Sequence, residues 1–138
     1  MEKADLLESA KCELDLILQK VEDPKKKYDM ILQIVQQKVS HYRTLCLYLT
    51  NETAFYYFGQ KSDQEENCLK EIPFGEEILS IVAARGEISY DIEPGVQVIY
   101  IPFYKRHHLL GELVIKSTKF IDEAELSFVK YLQELLNG

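Results

Sequence analysis

Apolar and polar residues alternate along this chain with two periods, helical at both ends and strand-like between. Leu7, Ala10, Leu14, Ile17 and Val21 recur at spacings of three and four within residues 4–21, which predicts a helix with one narrow apolar stripe. Such a heptad-like seam can pack on the chain's own core or on the same helix of a second copy. Asp23-Pro24 then restarts the chain, with Asp23 as N-cap and Pro24 at the first helical position, where its missing N–H costs nothing. The second helix is expected to run to about His41, burying Tyr28, Ile31, Leu32, Val35, Val39 and Tyr42. His41, at the C-terminal end of that helix, reads as a capping or surface residue suited to the helix dipole.

The period then falls to two. Residues 43–50 and 53–59 are rich in β-branched and aromatic side chains and predict a hairpin, with Cys46 as buried filler in mid-strand. Polar residues 60–70 read as a loop over one face of the sheet, 75–85 as a short helix closed by Gly86, and 87–90 as a brief strand entering the turn Glu93-Pro94-Gly95. Residues 96–116, VQVIYIPFYKRHHLLGELVIK, form the centre of the pattern: two apolar runs joined by the basic turn Lys105-Arg106-His107-His108, read as a hairpin buried on both faces. A register pairing Tyr100 with Val114 and Val98 with Lys116 sorts the side chains by face. Ile99, Ile101, Phe103, Leu109, Gly111, Leu113 and Ile115 fall on a wholly apolar side. Val98, Tyr100, Pro102, Leu110, Glu112, Val114 and Lys116 fall on the other, whose polar members mark it as the side able to line a pocket. The last helix has Asp122 and Glu125 as a capping box, Ile121 and Leu126 at the staple positions, and a stripe of Leu126, Val129, Leu132, Leu135 and Leu136.

The 138 residues are expected to form one domain over 1–138, large enough for a core without disulfide or metal staples, with 1–22 as a candidate dimerisation element. No apolar run approaches the roughly 20 residues that span a bilayer, and the mixed charges of MEKADLLESAKCELD are unlike a signal peptide. Cytoplasmic residence is the expectation. A net charge of −7, with only Lys25-Lys26-Lys27 and Lys105-Arg106 as basic runs, argues against nucleic acid or anionic lipid as partners. Three cysteines, Cys12, Cys46 and Cys68, with no CxxC pair, predict reduced and chemically idle thiols and no zinc site.

Three segments, in order, resemble a GAF domain: Val98-Ile99-Tyr100-Ile101-Pro102, Leu109-Leu110-Gly111-Glu112-Leu113-Val114-Ile115, and Phe120 with the helix from Asp122. They are similar to the family's strand ending in proline, its Leu-Gly-x-Leu strand and its closing segment. The resemblance covers nearly the whole chain and implies an α+β fold, a central antiparallel sheet with the terminal helices on one face and a ligand pocket on the other. Gly111 fits as a glycine that lets a helix approach the sheet closely. Within the family, Cys68 followed by Ile72-Pro73-Phe74-Gly75 is similar to a stretch of the free methionine-(R)-sulfoxide reductases. Their catalytic and third cysteines would fall near Leu79 and Tyr90 and their substrate-holding carboxylates near Val98, Val114 and Lys116, so the thiols that chemistry needs are missing. Ser117-Thr118-Lys119-Phe120-Ile121-Asp122-Glu123 departs from the cyclic-nucleotide motif, no cysteine is placed for a bilin, and His107-His108 cannot both face one haem iron. The nitrate receptor of Gram-positive bacteria is similar in size, but it reads nitrate with an aromatic-lined cage and this chain has no tryptophan.

What the resemblance implies is a non-enzymatic cytoplasmic sensor with no catalytic residue, metal or cofactor, binding a small molecule under the 60–95 segment and signalling to a partner protein. Tyr90, Val98, Tyr100 and Val114 would form the walls, with Phe74, Ile78 and Leu79 closing from above and Glu112 and Lys116 as the polar members. Lys116 points to a small anion or carboxylate as ligand; the competing reading makes Glu112 and Lys116 a solvated edge. The alternative function is an interaction module with a vestigial pocket that acts through dimerisation. Both are compatible with a homodimer joined by the terminal helices through Leu7, Leu14 and Ile17.

Overall fold

The computed structural model describes residues 3–62, 71–75 and 77–138. The elements are α1 (Lys3–Leu18), α2 (Pro24–Lys38), β1 (Tyr42–Thr50), β2 (Ala54–Ser62), β3 (Glu71–Pro73), α3 (Ile78–Arg85), β4 (Ser89–Glu93), β5 (Val96–Lys105), β6 (His108–Ser117) and α4 (Glu123–Leu136). The strands form one six-stranded sheet in the order β3-β2-β1-β6-β5-β4, antiparallel at every step. The helix termini follow local chemistry. The Asp23 carboxylate accepts from the Lys25 N–H, Asp122 accepts from the Glu125 N–H, and α3 ends on Gly86 at φ 73°, a conformation glycine adopts without strain.

Helices α1, α2 and α4 cover one face. There Leu45 and Leu47 of β1, Ile99, Ile101 and Phe103 of β5, and Leu113 and Ile115 of β6 are fully buried against Ile31, Leu32, Val35, Phe128 and Leu132. Each such side chain contributes about 1.5–3 kcal/mol relative to exposure. The α1 stripe is spent here. Leu7 and Leu14 lie inside this core and Ile17 packs against it, so the residues expected at a dimer seam face the chain's own interior. The other face carries a smaller core of Cys46, Tyr48, Phe55, Val96, Val98 and Tyr100, covered by Leu79 and Val82 of α3.

The expected β5/β6 register is present, with Tyr100 opposite Val114 and Val98 opposite Lys116. It breaks once. Phe103 pairs with Gly111 but Tyr104 pairs with Leu109, leaving Leu110 as an extra residue on β6. This bulge reverses two assignments: Leu109 packs on the α3 face and Leu110 on the α1/α2/α4 face. The crowding at Gly111 also has another origin than a helix. A Cβ there would collide with the Tyr48 carbonyl oxygen and come within 2.7 Å of the Phe103 ring.

Three further expectations are corrected. Cys46 is disulfide-bonded where a reduced thiol was expected, Cys12 is free and exposed, and Cys68 lies outside the described residues. His41 is buried, because a carboxylate from α4 meets it. In α4, Leu126 is largely exposed, while Glu125 and Phe128 are buried in the stripe.

Candidate functional site

On the α3 face the sheet presents an ionisable side chain at its centre. Glu112 sits on β6 between β1 and β5, opposite Tyr48 on one side and Pro102 on the other. Its side chain is 0% exposed, and neither carboxyl oxygen has a hydrogen-bond partner among the described residues. Burial pushes this carboxyl up to about 9, so at neutral pH it is a protonated, uncharged acid. An unsatisfied buried polar group of this kind costs the fold about 1–3 kcal/mol.

The surroundings are aromatic and apolar. Tyr48 and Tyr100 are buried beside Val98, Phe55, Leu79 and Val82. Burial first, and then the negative charges of Asp91, Glu93 and Glu112, push the Tyr100 hydroxyl up to about 12. Burial and Glu112 also raise the Tyr104 hydroxyl. The cover of this face is light: α3 has eight residues, two of them buried, and its N-cap Glu77 makes no side-chain cap. Tyr104 fastens it by donating its hydroxyl hydrogen bond to the Ala83 carbonyl at 2.7 Å. The same residue's N–H donates to Asn137 Oδ1 at 2.8 Å, and its carbonyl accepts from the Gly138 N–H at 3.0 Å.

The residues named from the sequence divide into three groups. Val98, Tyr100, Glu112, Val114 and Leu79 share the α3 face. Phe74 and Ile78 stand at its margin, both largely exposed, with Phe74 edge-on to Phe55 at 5.1 Å between ring centroids. Lys116 lies on the same face but far along the strand, and Tyr90 lies on the other face. Lys116 reaches the outer end of the hairpin, its Nζ 3.8 Å from a Glu93 oxygen, and four residues of strand, about 13 Å, separate it from Glu112. Tyr90 pairs with Ile99 and so faces α4, where it borders a cleft of about 570 Å³ with Leu126 and Lys130. Tyr48, Phe55, Val82 and Tyr104 belong to the site and were missed. Alternation in the first hairpin marks Tyr48, and the three-residue step from Leu79 marks Val82.

The opposite face has its own buried acid, but that one is ion-paired. Glu125 is contacted by Lys3, by His41 Nε2 at 3.2 Å and by the Tyr42 hydroxyl at 3.0 Å. Burial raises its carboxyl, yet the bonds from His41, Lys3 and Tyr42 together outweigh burial and hold it below the usual range. Among the described residues no group of three or more His, Cys, Asp or Glu is placed to hold a metal ion, and no helix is long and apolar enough to cross a membrane.

No family model matches the sequence, and no curated protein does. Solved structures do match. The chain is similar to free methionine-R-sulfoxide reductase from Neisseria meningitidis in complex with its substrate (TM-score 0.82, 15% identity, 99% of this chain and 89% of that one). It is similar to a protein of Burkholderia vietnamiensis described as a GAF sensor (TM-score 0.81, 13% identity, 99% and 88%). The GAF domain of a phosphoenolpyruvate-protein phosphotransferase from Coxiella burnetii superposes with TM-score 0.76 at 16% identity over 98% and 93% of the chains. The antiparallel sheet, the terminal helices on one face and these superpositions together establish that the chain has the α+β fold of GAF domains.

Proposed function

We propose that this chain is a GAF-type sensor: it binds one small molecule on the α3 face without transforming it, and passes the occupancy of that site to a partner protein in the cytoplasm. The observation that carries the reading is Glu112, a carboxyl set in the middle of an apolar face with both oxygens unsatisfied. A bound molecule that satisfied it would recover the cost that the empty fold bears. The cover suits that role. Lifting α3 exposes two buried aliphatic side chains, at about 1.5–3 kcal/mol each, against about 8 kcal/mol available to a micromolar ligand.

The absence of turnover is part of the proposal. Leu79 and Tyr90 stand where the reductases' cysteines would fall, and neither can act as nucleophile or resolving thiol. The ligand's sign turns around relative to the sequence expectation, because Lys116 is matched by Glu93 while the acid at the centre is unmatched. Native mass spectrometry of freshly purified protein, with thermal unfolding against a metabolite panel, tests the reading. A ligand at 100 times its dissociation constant adds about 2.7 kcal/mol. No retained mass together with no response to the panel would refute the sensor.

A second reading, an interaction module acting through dimerisation, is favoured by one exposed strip. Ile92 and Phe120, 69% and 74% exposed, line a cleft of about 360 Å³. Tyr90 and Leu126 border the cleft near α4. Light scattering of the parent and of Ile92→Lys distinguishes the two: a dimer that the substitution abolishes supports the module, and a parent that is monomeric at high micromolar concentration removes it.

A further inference from the structure

We infer that the ligand of the α3 face is a small organic cation, an amine, amidine or guanidine on an apolar body, whose N–H groups bind the Glu112 carboxyl. This rests on the sensor reading above and goes beyond it in naming the ligand's chemical class.

The first argument is one of complementarity. Two carboxyl oxygens accept hydrogen bonds, and the polar side chains on the flanking strands among the described residues include tyrosine hydroxyls: Tyr48 of β1, in register with Glu112, and Tyr100 and Tyr104 of β5, on which its charge acts. Tyr104 already donates to Ala83. The stretch of α3 over the face, Leu79-Ser80-Ile81-Val82-Ala83, contains no ionisable residue. Burial displaces the Glu112 carboxyl, and among the described residues no cation acts on it. A partner that brings donors to these two oxygens is what the carboxyl lacks among the described residues.

The second argument is electrostatic. Asp91 and Glu93 of β4 pair with Val98 and Val96, so they project to the side that holds Glu112. All three acids act on Tyr100, and the basic group at that end, Lys116, lies against Glu93. At the exposed end of this face an anion would meet the carboxylates of Asp91 and Glu93, whereas a cation would be drawn in, would pair with Glu112 once that acid gave up its proton, and would find the faces of Tyr48, Tyr100 and Phe55 to lie against. The exchange balances. The neutral acid loses its proton to solvent, the carboxylate so formed pairs with the ligand's N–H groups, and one proton is released per ligand bound at neutral pH.

The test uses four probes of one shape class, benzamidine and phenethylamine as cations, benzoate and benzyl alcohol as controls, on the parent chain, Glu112→Gln and Glu112→Leu. Thermal unfolding should rise with one or both cations and not with the controls, and titration calorimetry in two buffers of different ionisation enthalpy should register the released proton. Glu112→Gln, which keeps shape and hydrogen bonding but cannot ionise, should weaken cation binding at least tenfold. Glu112→Leu should abolish it in a chain that still unfolds cooperatively. Benzoate or benzyl alcohol binding as well as the cations, cation binding unchanged in Glu112→Gln, or no cation binding at millimolar concentration would overturn the assignment. In each of those cases the sensor reading survives if native mass spectrometry finds a retained neutral or anionic molecule or the metabolite panel shifts the unfolding temperature, and falls with the assignment if neither occurs.

Discussion

Replacing Glu112 by glutamine should flatten the dependence of stability on pH in the ligand-free chain. The carboxyl has an ordinary value of 4.5 in the unfolded chain and stands at about 9 in the folded one. Below the first value it is protonated in both states and contributes no pH dependence. Between the two values the unfolded chain ionises and the folded chain does not, so stability falls as pH rises, by about 1.4 kcal/mol per pH unit. The loss is about 3 kcal/mol at pH 7 and levels off at about 6 kcal/mol once the folded group also ionises. Glutamine fills the same space and never ionises. The variant should therefore match the parent near pH 5 and exceed it by a gap that widens by about 4 kcal/mol between pH 5 and pH 8. Guanidinium unfolding of both proteins at several pH values and constant ionic strength measures this, because contributions from distant groups such as Glu125 cancel in the difference. A gap that stays constant across that range would show the carboxyl ionised in the folded chain, and therefore hydrated or paired, which removes the reason for placing a ligand there.

Leu14→Glu should unfold the chain rather than separate two copies, since Leu14 is fully enclosed in the chain's own core; circular dichroism should report a loss of several kcal/mol. Gly111→Ala forces a methyl onto the Tyr48 carbonyl and the Phe103 ring, and denaturant unfolding should show about 3 kcal/mol of destabilisation. His41→Ala leaves the buried Glu125 with fewer donors, at about 3 kcal/mol near neutral pH. Because the Glu125 carboxyl is held low in the fold, its stabilisation is full above about pH 5 and is lost as the solution is acidified, so the deficit should shrink below about pH 4 in pH-dependent unfolding curves. Alkylation of the native, unreduced protein should label exposed Cys12 and spare disulfide-bonded Cys46, a difference read by peptide mass spectrometry.

Local patterns carried most of the fold. The alternation in 96–116 was enough to pair Tyr100 with Val114, and Asp23, Gly86 and Asp122 mark helix ends because capping is a matter of a few adjacent atoms. Tyr90 is a different case. Two residues, Pro94-Gly95, separate Glu93 from Val96, with Gly95 at φ 79°, and counting back from that pair puts Tyr90 opposite Ile99. The turn held the information, but the face was assigned without using it. The Leu109/Leu110 reversal could not be read in that way, because a bulge inserts one residue without changing the apolar pattern. Nor could a stripe on α1 say which surface it meets. His41 and Glu125 are far apart in sequence, so the burial of the histidine depends on how α4 docks. Glu112 falls on the face the alternation gives it, yet the lack of a partner for its carboxyl among the described residues depends on how β1, β5 and α3 pack around it, which no local pattern states.

Tyr104 has a mechanical meaning beyond its hydrogen bonds. Its hydroxyl holds α3 on one side of the sheet, and its peptide group holds Asn137 and Gly138 at the end of α4, which packs on the other. The end of β5 thus works as a rocker with its pivot in the sheet, loaded from above by α3 and tied below to the last turn of α4. A displacement of α3 would bear on the same residue that anchors that turn, so that a single residue joins the two sides of the sheet. Tyr104→Phe would cut the linkage on the α3 side and leave the tether to α4 in place.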